Sequence, residues 1–392
     1  MIDRRDVLTM LGLVPLGLIT RSAAARSATL ADRTQQGRTL VLIELKGGND
    51  GLNTVVPYTD PSYYVLRPRI GIPVDQVLPL DGTLGLNPAL APLMPLWKGG
   101  DMAIALGVGY PQPNRSHFRS IEIWETASRS NQVLDTGWVN EALVPSRDNG
   151  HSVDGIVVGG RNLGPLNGKR LRTVILKRPE RFLRRAGHLK PMPDEAKIPA
   201  LSHILKVHNQ TLAASTALKE LLKTTAEPKG DFPSGSFGRG LGIAAQLILA
   251  GSSIPVLHVS LTGFDTHINQ ARRHQRRLAR LGKGLAAFQV ALRDGGVWDR
   301  VMVMTYSEFG RRAGENGSGG TDHGTAAPQL ILGGRIKGGF FGSQPKLPDS
   351  AAGDLRHTLD FRRLYATVQQ RWWRHPNNSV RLAGFEPLDL IS

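Results

Sequence analysis

Two periods of apolar residues run along this chain. Short unbroken runs, in residues 39–48, Met102 to Val108, Pro255 to Leu261 and Val301 to Met304, read as strands buried on both faces. Steps of three and four link Leu278, Leu281, Leu285, Phe288 and Leu292, which predicts a long amphipathic helix over 270–294. Weaker helical patterns cover 88–97, a segment opening at Ser116, 200–222, 239–250 and the stretch LDFRRLYATVQQRWW. Helix, strand, helix, strand across 239–307 is the pattern of a parallel, doubly wound unit. The expectation is an α/β fold: a mostly parallel sheet with helices on both faces. VDGIVVGG (153–160) and RTVILKR (172–178) predict a small antiparallel β addition within 130–200. GGRIKGGFFG reads as a turn-rich or hairpin segment, and 57–85 as an excursion over the surface.

The first 25 residues break this pattern. Arg4 and Arg5 form a twin-arginine pair ahead of an apolar run, Val7 to Ile19, that is too short and too rich in Gly and Pro to span a bilayer. Ala23, Ala24 and Ala25 offer small residues to a signal peptidase. The expectation is export by the twin-arginine translocase to the periplasm or beyond, a single mature domain over 26–392, and no permanent membrane span.

Composition narrows the chemistry. With no cysteine, disulfides, thiol catalysis and cysteine-held zinc are excluded. The formal charge is +17, which points to anionic partners. The basic residues are scattered rather than interleaved with aromatics, so no nucleic-acid partner is expected. Arg272, Arg273, Arg276, Arg277, Arg280 and Lys283 share the polar face of the long helix, which reads first as a solvated face.

Three strands empty into loops that carry acids and histidines. Asp50 follows the first in GGNDGLN; Asp265 and His267 follow Pro255 to Leu261 in GFDTH; Glu308, Arg311, Arg312, Asp322 and His323 follow Val301 to Met304. Ligands of α/β sheets bind outside the carboxyl ends of strands. Asp50 is also an ordinary turn former. The expectation is a shared site for a divalent metal ion, Zn, Mn or Ca, held by Asp50, Asp265, His267, Glu308, Asp322 and His323. The mixed oxygen and imidazole donors suit Zn²⁺, Mn²⁺ or Fe better than oxygen-preferring Ca²⁺ or Mg²⁺. In NRSHFRS, Ser116 stands at a helix start, either as an N-cap or as an anion-binding or nucleophilic hydroxyl beside Arg115 and His117. Arg115, Arg311 and Arg312 would neutralise an anionic substrate.

GGNDGLN, NRSHFRSIEIW, GFDTH, SEFGRR with the following GTDHG, and KGGFFG together resemble the DUF1501 family of exported proteins, over essentially the whole mature chain. That family is similar to the alkaline phosphatase and sulfatase superfamily, and the resemblance implies a metal site in an alkaline-phosphatase-like domain. It sets Asp50 as the first metal aspartate, Ser116 as nucleophile, Asp265 and His267 as an Asp–His pair, and His323 as the last metal histidine. Phe309 departs from it, standing where a metal histidine is expected. A one-metal site and a site without hydrolysis both fit that departure. The function expected is hydrolysis of a sulfate or phosphate ester, on an anionic small molecule or a polysaccharide. The alternative is a non-catalytic exported protein that binds acidic polysaccharide or a cell-surface partner.

Overall fold

A computed structural model of the chain describes residues 37–143, 153–177, 190–193, 225–252, 254–375 and 379–392, with isolated positions between 201 and 222. The twin-arginine segment and most of the helix expected over 200–222 lie outside the described residues.

The sheet grows outward from β1 (Thr39–Lys46), whose run TLVLIEL is buried throughout. In chain order the other strands are β2 (Met102–Gly109), β3 (Gly155–Val158), β4 (Thr173–Leu176), β5 (Val256–Thr262), β6 (Val301–Tyr306), β7 (Ala327–Leu332), β8 (Gly339–Phe341) and β9 (Leu359–Asp360). They form one nine-stranded sheet in the order β8-β2-β7-β6-β1-β5-β3-β4, with β9 on β2. Only β7 runs antiparallel to its neighbours. The α/β expectation therefore holds.

Period-two alternation along β1 splits the core into two layers. Val41, Ile43 and Leu45 face the helices α3 (Ser236–Leu249) and α4 (Gln270–Asp294). Leu40 and Leu42 face the other side, with Ile123 and Trp124 of α2 (His117–Thr126) and Phe361, Leu364 and Tyr365 of α5 (Phe361–Thr367). Trp372, in the π-helical turn after α5, is fully buried; burial of so large an apolar ring stabilises by about 3 kcal/mol.

Three expectations are corrected. The described 153–177 segment forms no antiparallel addition: β3 pairs parallel with both β4 and β5 and extends the main sheet. Its Val- and Ile-rich runs are buried on both faces, as parallel edge-to-centre strands are. The small β addition lies instead at Val55–Val56, Leu78–Pro79 and Gly85–Leu86. Of the two readings of GGRIKGGFFG the turn-rich one holds, with a turn at 334–335, and the hairpin does not; β8 joins β2 in parallel. The 57–85 excursion includes the short helix α1 (Pro61–Leu66), started by Asp60 accepting from the Ser62 amide at 2.9 Å, and it delivers a buried arginine, Arg67.

Register places the site. β1 pairs with β5 as Lys46 to Thr262 and with β6 as Glu44 to Tyr306. The loops after these strands therefore leave the sheet side by side.

Candidate metal centre

Asp265 is the centre of the cluster. Gly47 (φ +118°) makes room for it, because a Cβ there would collide with the Asp265 amide. His267 Nε2 lies 3.1 Å from Asp265 Oδ1 and His323 Nε2 3.3 Å from the same oxygen. His117, the first residue of α2, brings its Nε2 to 3.5 Å from Oδ2. His117, Asp265 and His323 each offer a ligand atom within 4.8 Å of the others. His267 joins through its contact with His323, Nε2 to Nε2, at 2.9 Å.

Each imidazole is held from behind by its other nitrogen. His117 Nδ1 is 2.9 Å from Glu308 Oε1, which also accepts from the Gly47 amide at 2.9 Å. His267 Nδ1 faces Asp322 Oδ1 at 3.4 Å. His323 Nδ1 donates to the Arg115 carbonyl at 2.9 Å. A carbonyl only accepts, so the His323 proton sits on Nδ1 and the Nε2 lone pair points into the cluster. There it meets a carboxylate oxygen and a second imidazole nitrogen. Lone pairs converging in this way fit a cation, and a carboxylate or carbonyl behind each imidazole is the usual support of a metal-binding histidine. Three imidazoles and one carboxylate suit Zn²⁺, Mn²⁺ or Fe²⁺.

The electrostatics agree. Burial opposes ionisation of Asp265, but the hydrogen bond from Arg311 holds its pKa at about 2. Burial lowers the pKa of His323, which keeps its ring neutral. The hydrogen bond from Asn316 lowers that of Asp322. The hydrogen bond to Glu308 raises that of His117.

The other expected site residues divide by what they touch. Asp50 stands apart from the cluster. It is fully buried, with Oδ2 accepting from Arg67 Nη1 at 2.6 Å and from Gln270 Nε2. A guanidinium takes the role expected of a metal there, so Asp50 is no ligand in this arrangement. Glu308 and Asp322 orient His117 and His267 rather than facing the cluster. The Arg115 guanidinium is committed to Asp354 at 3.1 Å, and only its carbonyl serves the site. Arg311, 1% exposed, donates to Asp265 Oδ1 at 2.8 Å and to the carbonyls of Gly47, Gly48, Phe264 and Thr321. Its donors are used in bracing the three loops, not free for substrate. Arg312, by contrast, has a buried Nε without a partner among the described residues. Ser116 occupies the N-cap of α2 without making a side-chain cap bond, and it is exposed.

Phe309 is 2% exposed and packs on His323 and His117, with ring centroids 4.4 and 4.9 Å apart. It walls one side of the cluster where a further ligand was expected. A cleft of about 270 Å³, lined by Tyr110, Asn114, Phe309, Asp354 and His357, adjoins that wall. His117 and Arg67 are the residues that sequence reasoning left out of the site. His117 was signalled only by its place beside Ser116 at a helix start, and Arg67 by nothing local.

The family model described as "Protein of unknown function (DUF1501)" matches residues 37–382. No curated protein matches the chain. Among solved structures it is similar to the PsFucS1 sulfatase from Pseudoalteromonas sp., at 10% identity and TM-score 0.42 over 93% of this chain and 74% of that one. It is similar also to an alkaline phosphatase superfamily protein from Vibrio parahaemolyticus, at 11% identity and TM-score 0.36 over 88% and 72%. A third similarity is to the periplasmic domain of EcEptC from Escherichia coli, in complex with Zn, at 9% identity and TM-score 0.35 over 82% and 77%.

Proposed function

The chain belongs to the DUF1501 family, and on that premise we propose that it is an exported, metal-dependent hydrolase of sulfate or phosphate esters. The single observation that carries the reading is the set of three Nε2 atoms turned toward the Asp265 carboxylate, each imidazole anchored through Nδ1. His117, Asp265, His267 and His323 would hold the ion, with Glu308, Asp322 and the Arg115 carbonyl fixing their orientation. A divalent ion bound there supplies Lewis-acid polarisation of an ester oxygen.

The chain's own residues do the rest. Arg311 keeps Asp265 ionised and aimed. Arg312, whose charge acts on Asp322 at the edge of the cluster, adds positive potential for the anionic head of the ester. Ser116, whose hydroxyl makes no cap bond, is the nucleophile at the start of α2. Phe309 excludes water from one side. The alcohol portion of the substrate enters the adjoining cleft of about 270 Å³. The twin-arginine pair Arg4 and Arg5 directs the folded chain, one domain over 26–392, to the translocase and out of the cytoplasm. Among the described residues no helix is long and apolar enough to cross a membrane.

Metal content by mass spectrometry, with turnover of chromogenic sulfate and phosphate esters before and after chelation, tests the proposal. The expected result is about one equivalent of metal and turnover that chelation abolishes. Ser116→Ala should keep the metal and lose turnover by a factor of 10² or more. Protein that binds no metal from Zn²⁺, Mn²⁺ or Fe²⁺ solutions and turns over neither ester class would overturn it.

A further inference from the structure

Helix α4 breaks two local rules of charge placement. Its first three turns carry Arg272, Arg273, Arg276, Arg277 and Arg280, and its first acidic residue is its last, Asp294. Cations near a helix N-terminus oppose the helix dipole, and like charges four apart (272 with 276, 276 with 280, 273 with 277) repel. Among the described residues none of these five guanidiniums has a carboxylate partner, whereas Lys283, further along, pairs with Asp231 at 2.7 Å. Arg272, Arg276 and Arg280 are exposed. Burial and the charges of Arg280, Arg276 and Arg273 lower the Arg277 pKa. A local rule broken without compensation among the described residues is expected at a functional surface.

The row is attached to the site. Arg273 Nη1 donates to the Ile268 carbonyl at 3.4 Å, one residue past His267. Arg277 packs over Gly263, two residues before Asp265. From Arg272 to Arg280 the row spans about 12 Å along the helix axis. It is a line of positive charge that begins beside the imidazoles and leads away from them.

We propose that this row is the docking rail of a linear polyanion, a polysaccharide bearing sulfate or phosphate esters, which is drawn along α4 with one ester at the His117–Asp265–His267–His323 cluster. This rests on the hydrolase reading only in naming the polymer a substrate; docking itself needs no metal. A membrane partner would require large apolar side chains interleaved with the basic ones, and the exposed face of these three turns carries only Ala271 and Ala279. A single-stranded nucleic acid would require aromatic stacking platforms, which the same face lacks.

The test is binding of fluorescent dextran sulfate and phosphorylated dextran to metal-free full-length protein between 50 and about 300 mM NaCl, where each lost ionic contact lowers the log–log salt slope by roughly 0.7–0.9. The triple variant Arg272→Gln, Arg276→Gln, Arg280→Gln should bind 10- to 100-fold more weakly, with the slope reduced by about two to three units. It should melt no lower than the parent, because it relieves repulsion. A charge-matched control at the exposed Lys98, Lys169 and Lys346 (each to Gln) should bind like the parent. Unchanged binding by the triple variant, or absence of binding by the parent at 50 mM NaCl, overturns the proposal. So does preferential binding of phosphatidylglycerol vesicles or of single-stranded DNA through the same arginines. Polymer binding that survives without any ester turnover sinks the hydrolase reading alone. Small-ester turnover without polymer binding sinks the rail alone.

Discussion

Asp50 and Asp265 follow neighbouring strands of one sheet and look alike in sequence, yet the fold gives them opposite surroundings. Asp50 is sealed among groups that already satisfy it: Arg67, Gln270 and the Asn53 amide. His274 nearby is neutral, because burial takes its pKa down to about 4. Asp265 is half exposed and faces three imidazole nitrogens, of which that of His323 carries a free lone pair. Each carboxylate has a fixed guanidinium, Arg67 at Asp50 and Arg311 at Asp265. At Asp50 the other partners are donors that close the group off, whereas Asp265 keeps an open side that faces imidazoles. An acid beside a histidine at a strand end is therefore no measure of metal binding; the measure is whether the fold closes the carboxylate off or leaves it open toward further ligand atoms.

The largest effect expected from breaking this contrast is at the sealed pair. Arg67→Met leaves a buried carboxylate without its partner and should lower the unfolding free energy by about 3–5 kcal/mol in urea titrations. Burial opposes ionisation of Asp50, but Arg67 outweighs it and sets the folded pKa below the ordinary 3.8. The stabilisation from Asp50 is thus present above that value and is lost as the pH falls through the lower folded one. Stability of the parent should drop on acidification below pH 4, and Arg67→Met should lose most of that dependence.

At the open cluster the same kind of deletion should act on the metal instead. Asp265→Ala or His323→Ala should weaken Zn²⁺ binding about 100-fold or more in competition titrations. The melting temperature of the parent, but not of either variant, should rise on adding metal. If both variants bind as the parent does, the cluster is not the ligand set.

The supports behind the imidazoles should matter less. Glu308→Gln and Asp322→Asn should each weaken metal by about 10- to 100-fold while the fold stays intact by circular dichroism. Equal loss in Asp50→Asn protein that remains folded would contradict the separation of the two regions.

Glu125 on α2 sharpens the comparison with the smallest effect. It is half-buried with neither guanidinium nor neighbouring imidazole, and desolvation, then Glu44, push its pKa up from 4.5 to about 8. The folded chain holds this proton where the unfolded chain has released it, so stability falls as the pH rises from 4.5 to 8. Glu125→Gln should gain about 1 kcal/mol at pH 8 and nothing at pH 4, read as a shift in denaturation midpoint.

Much of the architecture was legible because strand and helix periods survive without knowledge of their neighbours. The bounds of α4 were readable from its leucine spacing alone. The direction in which β3 and β4 pair was not, since parallel and antiparallel edge strands carry the same apolar residues. Asp265, His267 and His323 were readable as members of one cluster because they follow buried strands. His117 was not, because it belongs to the cluster only through the rotation of α2, fixed where Ser120 Oγ donates to the Glu308 carbonyl.

The chain by itself determined the α/β class, the loops that carry the chemistry, and the excess of positive charge, since each is a property of local order or simple composition. Tertiary structure alone decided that Arg67, seventeen residues from Asp50, would close that carboxylate off, and that His117 would take a place beside Asp265 instead. The physical reason is that a charge is tuned by what lies within a few ångströms of it, and the distance along the chain does not specify that.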